Sequence, residues 1–151
     1  MNIKIKSGDI FKEDAKYEFV HCVASDIVTD PKSGTQGIAK QFQDRYMFKD
    51  LLKMDGVEYI PIGSCVHTDG VFHLITKPKY WLKPTNLSML TALRNLKDLC
   101  ITRNTKHLAM PKIGCGLDKL NWDDVYTMIC DTFTDTDINI VIYLNKEGDE
   151  Q

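Results

Sequence analysis

Three stretches of this chain hold residue types that can do chemistry. Lys77 follows the apolar run Val71-Phe-His-Leu-Ile75, and Pro78 biases it toward an extended backbone. An amine at the rim of a buried strand is partly stripped of water, and once it has lost its proton it is a nucleophile for a carbonyl-type carbon. Lys79 and Lys83 stand close by, so an ordinary surface lysine is the competing reading. The second stretch is Ile113-Gly-Cys-Gly-Leu-Asp118. Two glycines one residue apart let the backbone turn tightly and approach a ligand closely. Successive amide N–H groups there can form a nest that holds phosphate without a lysine. Asp118, at the exit of the loop, can act as a general base or orient a ligand hydroxyl; a helix-entry aspartate is the plainer alternative. The third stretch, Gly34-Thr-Gln-Gly-Ile-Ala39, runs from a loop into a helix, whose start also favours anions. Two such loops facing each other suit a diphosphate, although each alone reads equally as a tight turn.

Other residues carry weaker signals. Asp9 sits in Ser7-Gly-Asp-Ile-Phe11, just after the first strand. A carboxylate there can accept the exocyclic amine of an adenine, with Ile10 against the ring, but Gly-Asp is also a common turn. His21 lies mid-strand and reads as a core or near-core histidine. Cys115 is a candidate thiol without a His or Asn at supporting spacing, so it is taken as a small loop residue. Trp81 and Trp122 are taken as packing residues. Neither the dinucleotide GxGxxG pattern nor a Walker A motif is present.

These residues need elements to position them. Asn2 to Lys6 alternates apolar and charged, a strand with one wet face. Glu18 to Ala24 is a mostly apolar run that reads as a buried strand. Thr29 to Gly37 is turn chemistry, and Ile38, Phe42 and Tyr46 then make a helical stripe. Gly63–Thr68 and Val71–Thr76 flank Asp69-Gly70, a strong hairpin signal. Thr85 caps a helix striped by Leu90, Leu93, Leu96 and Cys100. His107–Met110 is a short strand stopped by Pro111. Asn121 caps a last helix carrying Val125, Ile129 and Phe133, and Ile138–Leu144 is a final β-branched strand. This alternation predicts a three-layer α/β/α sandwich with a central sheet covered on both faces, and the hairpin makes that sheet mixed. Ligands of such folds bind beyond the carboxyl ends of the strands, where all three stretches fall.

Composition bounds the function. A chain of 151 residues makes one domain, here residues 1–145 with a short polar tail at 146–151. Nineteen Lys and Arg against 21 Asp and Glu leave a net charge of -2, which argues against a coat for nucleic acid or anionic membrane. No run approaches the roughly 18 apolar residues of a membrane span, and the N-terminal residues lack the apolar stretch of a secretory signal. Cys22, Cys65, Cys100, Cys115 and Cys130 are odd in number, widely spaced and without a CxxC pair. Reduced thiols in the cytoplasm follow, with the nucleus admitted for a eukaryotic source. No metal and no cofactor is expected, because no ligand cluster has metal spacing. A monomer is expected.

Taken together, these segments resemble the macrodomain family. Gly8-Asp-Ile-Phe11 resembles its adenine-side motif, Val20-His-Cys-Val23 its second strand, and Gly37-Ile-Ala39 the end of its first glycine loop. Within the family the chain is most similar to the branch of the terminal ADP-ribose glycohydrolase TARG and the ALC-type macrodomains. The carrying residues are Leu74-Ile-Thr-Lys77, Met110-Pro-Lys-Ile-Gly-Cys-Gly-Leu-Asp118 and Leu120-Asn-Trp122. The resemblance implies ADP-ribose binding and removal of mono-ADP-ribose from acidic side chains, with O-acetyl-ADP-ribose as a small ester substrate. It implies Lys77 as nucleophile on the distal ribose and Asp118 as proton acceptor. It also implies a ligand lining of Asp9, Ile10, Ala24, Gly37, Ile38, Lys112, Ile113, Gly114, Cys115, Gly116, Leu117 and Leu144.

Two departures from the branch bear on substrate choice. Thr35-Gln-Gly-Ile-Ala39 stands where Gly-Ala-Gly-Ile-Ala is usual, after about five extra residues around Val28 to Lys32. Gln36 thus crowds the distal ribose or bonds to it. Ala24 stands where a ligand-contacting serine is expected, so Ser25 substitutes or a hydrogen bond worth about 1 kcal/mol is lost. Three rival readings keep the fold. ADP-ribose on DNA bases calls for a basic surface, which Lys77, Lys79, Lys83 and Lys112 can supply. An ADP-ribose 1″-phosphate phosphatase gives weight to His21 and survives loss of Lys77. A non-catalytic ADP-ribose reader needs Gly114 to Gly116 and not Lys77.

Overall fold

Alternating and β-branched runs become strands at β1 (Asn2–Ser7), β2 (Glu18–Ala24), β3 (Cys65–Thr68), β4 (Val71–Lys77), β5 (His107–Pro111) and β6 (Asn139–Leu144). A computed structural model of the protein describes residues 1–25, 60–79, 81–115 and 118–144. Among the described residues the six strands form one sheet in the order β1-β6-β5-β2-β4-β3. All neighbouring pairs are parallel except β3–β4, so the sheet is mixed, as the hairpin predicts. Asp69 and Gly70 at the hairpin tip both have positive φ, 49° and 79°. That is the backbone a tight two-residue hairpin loop demands.

The two described helices are α1 (Asn86–Arg103) and α2 (Trp122–Phe133). Thr85 caps α1 in a reciprocal box with Ser88, and Asn104 ends it in the left-handed conformation. Asn121 caps α2 by accepting from the Asp124 amide at 3.1 Å. Asp123 and Asp124 place negative charge in its first turn, where the helix dipole favours it.

Both helices lie on the same face of the sheet. Met89, Ala92, Leu93, Leu96 and Cys100 of α1 and Val125, Ile129 and Phe133 of α2 share one cluster with Val20, Phe72, Leu74, Leu108, Met110, Ile140 and Ile142. Because strand side chains alternate, the intervening residues Val23, Val71, Ile75 and Ala109 face the other way. They pack with Ile10, Phe11, Tyr17, Phe19 and Tyr143. The expected cover of this second face, with the turn at 29–37 and the helix of Ile38, Phe42 and Tyr46, lies outside the described residues.

Several expectations need correction. The α1 stripe is Met89-Ala92-Leu93-Leu96-Cys100, and Leu90 is only half-buried at its edge. Pro111 is the last residue of β5 rather than its stop, and Lys77 is the last residue of β4 rather than just beyond it. Trp81 is 60% exposed, so it is not a residue of the core. Trp122 packs as expected, 5.8 Å from the Tyr126 ring.

Candidate active site

The five parallel strands all end on one edge of the sheet. Following their order, that edge presents the Gly8–Ile10 turn after β1, Leu144 at the end of β6, the Lys112–Cys115 loop after β5, Ala24 and Ser25 after β2, and Lys77 at the end of β4. The outermost two of these are four strand spacings apart, roughly 19 Å. The sheet thus arranges residues distant in sequence along a single row.

Lys77 and Asp118 meet at one end of that row. Lys77 Nζ donates to Asp118 Oδ1 at 2.5 Å, and the two side chains are 13% and 15% exposed. The pairing is far from accidental in its backbone support. Val23 pairs with Ile75 and Ala24 with Lys77, so Thr76 is the extra residue of a β-bulge. Bulges of this kind re-aim a side chain at a strand end. The Ser25 amide donates to the Lys77 carbonyl at 2.8 Å, and the Ser88 hydroxyl donates to the Thr76 carbonyl at 2.6 Å. Ser88 is also the third residue of the α1 capping box, so the helix start grips the strand end that carries Lys77. Thr85 was visible in the sequence as a cap; the part played by Ser88 was not.

The glycine loop is built by close packing. Gly114 has φ 74°, and a Cβ there would lie 2.6 Å from Met89 Cε and 3.0 Å from Leu120 Cδ1. The positive φ strains any other residue here, and a side chain would also have to displace the ends of Met89 and Leu120. The loop is closed by Cys115 N–H to Lys112 O at 3.2 Å and Leu120 N–H to Gly114 O at 2.8 Å. Lys112 reaches over Trp122, its Nζ 5.4 Å from the ring centroid. Burial raises the Cys115 thiol to about 11, so it is a neutral packing residue and no thiolate. Burial and the Asp118 carboxylate likewise push the Cys22 thiol well up. Gly116, Leu117, Gly37 and Ile38, and with them the Gln36 question, lie outside the described residues.

At the other end of the row, Asp9 caps a 3₁₀ turn at Ile10–Lys12, its Oδ1 accepting from the Phe11 amide at 3.0 Å. Ile10 is buried beneath it, and Leu144, half-buried, pairs in register with Ser7. Ala24 is buried at the end of β2. The Ser25 hydroxyl donates to the Ile60 carbonyl, so its proton is already engaged there.

His21 is fully buried within the sheet, as the core reading expects. Its Nε2 lies 2.7 Å from His73 Nδ1, and His73 Nε2 lies 2.6 Å from Thr68 Oγ1. Sequence reading missed His73, because nothing in the spacing of the two histidines shows that β2 and β4 are neighbours.

The arrangement can hold an elongated ligand along the strand ends. One end offers an exposed carboxylate beside apolar surface, the middle a glycine-bearing loop, and the far end an amine against a carboxylate. No family model matches the chain. It is 33% identical over 139 residues to the ADP-ribose glycohydrolase OARD1 of Homo sapiens, covering 90% of this chain and 87% of that protein. It is 30% identical over 159 residues to the DNA ADP-ribosyl glycohydrolase of Mycobacterium tuberculosis, covering 94% of this chain and 42% of that protein. Among solved structures, the macrodomain of Mycobacterium tuberculosis DarG superposes with a TM-score of 0.76 at 25% identity, covering 93% of this chain and 96% of that one.

Proposed function

The chain belongs to the macrodomain family, and from that membership we propose that it is an ADP-ribose glycohydrolase acting through Lys77 and Asp118. The relatives named as ADP-ribose glycohydrolases are hydrolases. The observation that carries the reading is the 2.5 Å contact between Lys77 Nζ and Asp118 Oδ1 at one end of the row of strand ends.

In this reading ADP-ribose lies along the row. Asp9, Ile10 and Leu144 take the base, and the Lys112–Leu117 loop takes the diphosphate together with Gly37 and Ile38. Ala24 lies beneath the distal ribose, which ends at Lys77. Asp118 accepts the proton of the Lys77 ammonium. The freed amine then forms a bond to the anomeric carbon, and the bond from that carbon to the ester oxygen breaks. The acidic side chain of the target leaves as its carboxylate. Water hydrolyses the carbon–nitrogen adduct, releasing ADP-ribose and returning a proton to the lysine. The preferred substrate is mono-ADP-ribose on Asp or Glu, and O-acetyl-ADP-ribose is a smaller ester at the same ribose. Such catalysis uses the contact of Lys77 with Asp118, whereas a mere reader of ADP-ribose has no need of it.

A second substrate, ADP-ribose on a DNA base, is favoured by a specific surface. Trp81 is 60% exposed, and it lies between exposed Lys79 and Lys83 just after Lys77. An aromatic face flanked by cations suits a single nucleic-acid strand. The 1″-phosphatase reading is weaker, since His21 is fully buried.

The test is to incubate the protein with mono-ADP-ribosylated glutamate, ADP-ribosylated DNA and ADP-ribose 1″-phosphate in parallel, with Lys77→Ala beside it. Free ADP-ribose and phosphate are quantified, and ADP-ribose binding is measured by calorimetry. Release from the glutamate ester by the native protein alone, with binding kept in Lys77→Ala, supports the proposal. Faster release from DNA selects the second substrate. Binding without release from any of them makes the chain a reader, and unchanged activity in Lys77→Ala removes the lysine mechanism.

A further inference from the structure

The turn that carries Asp9 is tied to the neighbouring strand by side chains that the proposed chemistry does not use. Tyr143 of β6 donates its hydroxyl proton to Glu13 Oε2 at 2.5 Å. The same oxygen accepts from Lys6 Nζ at 3.1 Å, and Glu13 Oε1 accepts from the Asp14 amide at 3.0 Å. The Glu13 side chain is only 8% exposed. Its backbone closes the 3₁₀ turn, donating N–H to the Ile10 carbonyl at 3.2 Å. Tyr143 packs in the same cluster as Ile10 and Phe11, and its hydroxyl lies near enough to the Asp9 carboxylate to feel its charge.

This network is strong for a turn so close to the surface. The Tyr143 hydroxyl and the Asp14 amide hold the Glu13 carboxyl down at about 2, against the opposing effect of its burial. Burial and the Glu13 carboxylate push the Tyr143 hydroxyl up to about 12. The pair therefore keeps its hydrogen bond, a charge-assisted one, across the whole physiological range.

A carboxylate discriminates an amine from a hydrogen only when its own position is set beforehand. Asp9 Oδ1 is already engaged with the Phe11 amide, which leaves Oδ2 for a ligand. The cap orients Asp9 within its turn, and something else must orient the turn against the sheet. We infer that Tyr143 and Glu13 are positioning residues for base selectivity: they lock the Asp9 turn onto β6, next to Leu144, so that Asp9 meets the exocyclic amine of an adenine. The inference rests on the reading of Asp9 as the base contact.

The experiment compares calorimetric affinities for ADP-ribose and for its analogue carrying unsubstituted purine in place of adenine. Native protein, Tyr143→Phe, Glu13→Gln and Asp9→Ala are measured, with thermal melts on the same samples. The native protein is expected to prefer ADP-ribose by at least about tenfold, the size of one charge-assisted hydrogen bond. Tyr143→Phe and Glu13→Gln should each cut that preference below about threefold while the analogue binds nearly as before. Asp9→Ala should abolish it. A native protein without preference overturns the reading of Asp9 and leaves the proposed hydrolysis standing. A native preference that survives in both clamp variants overturns the clamp. So does an equal loss of affinity for both ligands, which would reflect a general loosening of the fold.

Discussion

Lys77 Nζ sits 2.5 Å from Asp118 Oδ1, although the two residues come from different elements and lie 41 positions apart. Neither belongs to a local motif with the other. The meeting is made by the sheet order, which sets β5 beside β2 and β2 beside β4, and by the bulge at Thr76. A lysine that hands its proton to a neighbour and then attacks carbon needs this contact.

If the two act as one unit, their losses will not add. Asp118→Asn should lower turnover of a glutamate-linked ADP-ribose substrate by at least about 100-fold, the usual scale for a lost proton acceptor. Lys77→Ala should be at least as slow. The double variant Lys77→Ala/Asp118→Asn should be no slower than Lys77→Ala alone, as groups in one chemical step behave. Single-turnover rates on all three variants decide it, and additive losses would assign the residues to separate steps.

Gly114 should tolerate no side chain. Gly114→Ala meets a positive φ of 74° and a methyl group 2.6 Å away at Met89 Cε. Strain and overpacking together should cost about 1–3 kcal/mol. A fall in Tm by several degrees, read by calorimetry, is the expected result, together with weaker ADP-ribose binding. An alanine variant as stable as the native protein would mean that Met89 moves aside freely.

What the sequence made legible was largely local. Asp69-Gly70 and the Thr85 and Asn121 caps were read from neighbouring residues, and the structure places each as read; β1 forms as a strand, but its apolar face is not buried, since Ile5 is 50% exposed. Lys77 and Asp118 were picked out singly, from Pro78 after one and the glycine loop before the other. Their contact was not legible, because it depends on strand order. For the same reason His73 and Tyr143 went unnoticed: each gains its partner from a strand or turn that is remote in sequence. Trp81 was misread because its aromatic type suggests burial, while its loop leaves it 60% exposed.

Ser88 should matter to stability and to turnover at once. Its amide donates to the Thr85 hydroxyl, while its own hydroxyl donates to the Thr76 carbonyl at 2.6 Å. Ser88→Ala removes the hydroxyl from both the box and the strand end, and should cost about 1 kcal/mol of stability. Turnover should fall with little change in KM, since the loss falls on the backbone beside Lys77 and not on the ligand-binding loop. Ser88→Thr, which keeps the hydroxyl, should restore kcat. A variant that loses stability but keeps kcat would confine Ser88 to capping.

The buried histidine pair should make the fold acid-sensitive above the range of carboxylates. Burial and the neighbouring His73 hold His21 well below its ordinary 6.5, and burial with His67 pushes His73 down to about 3. Both are therefore neutral in the folded protein at mildly acid pH, whereas the unfolded chain takes up protons as pH falls through 6.5. The stability they contribute is full above 6.5 and is lost as pH falls from there, the share of His73 down to about 3. The limiting slope is about 1.4 kcal/mol per pH unit for each histidine. Glu13 adds to the loss only further down, between its ordinary 4.5 and about 2. Urea titrations at near-neutral pH and at about pH 5 should show the drop, because the histidines alone of these groups change charge in that interval. Replacing His73 with Gln should roughly halve the slope, since one of two coupled proton sites is gone. A native slope of only half this size would mean that one histidine is already protonated in the folded state, and a pH-independent stability that both are.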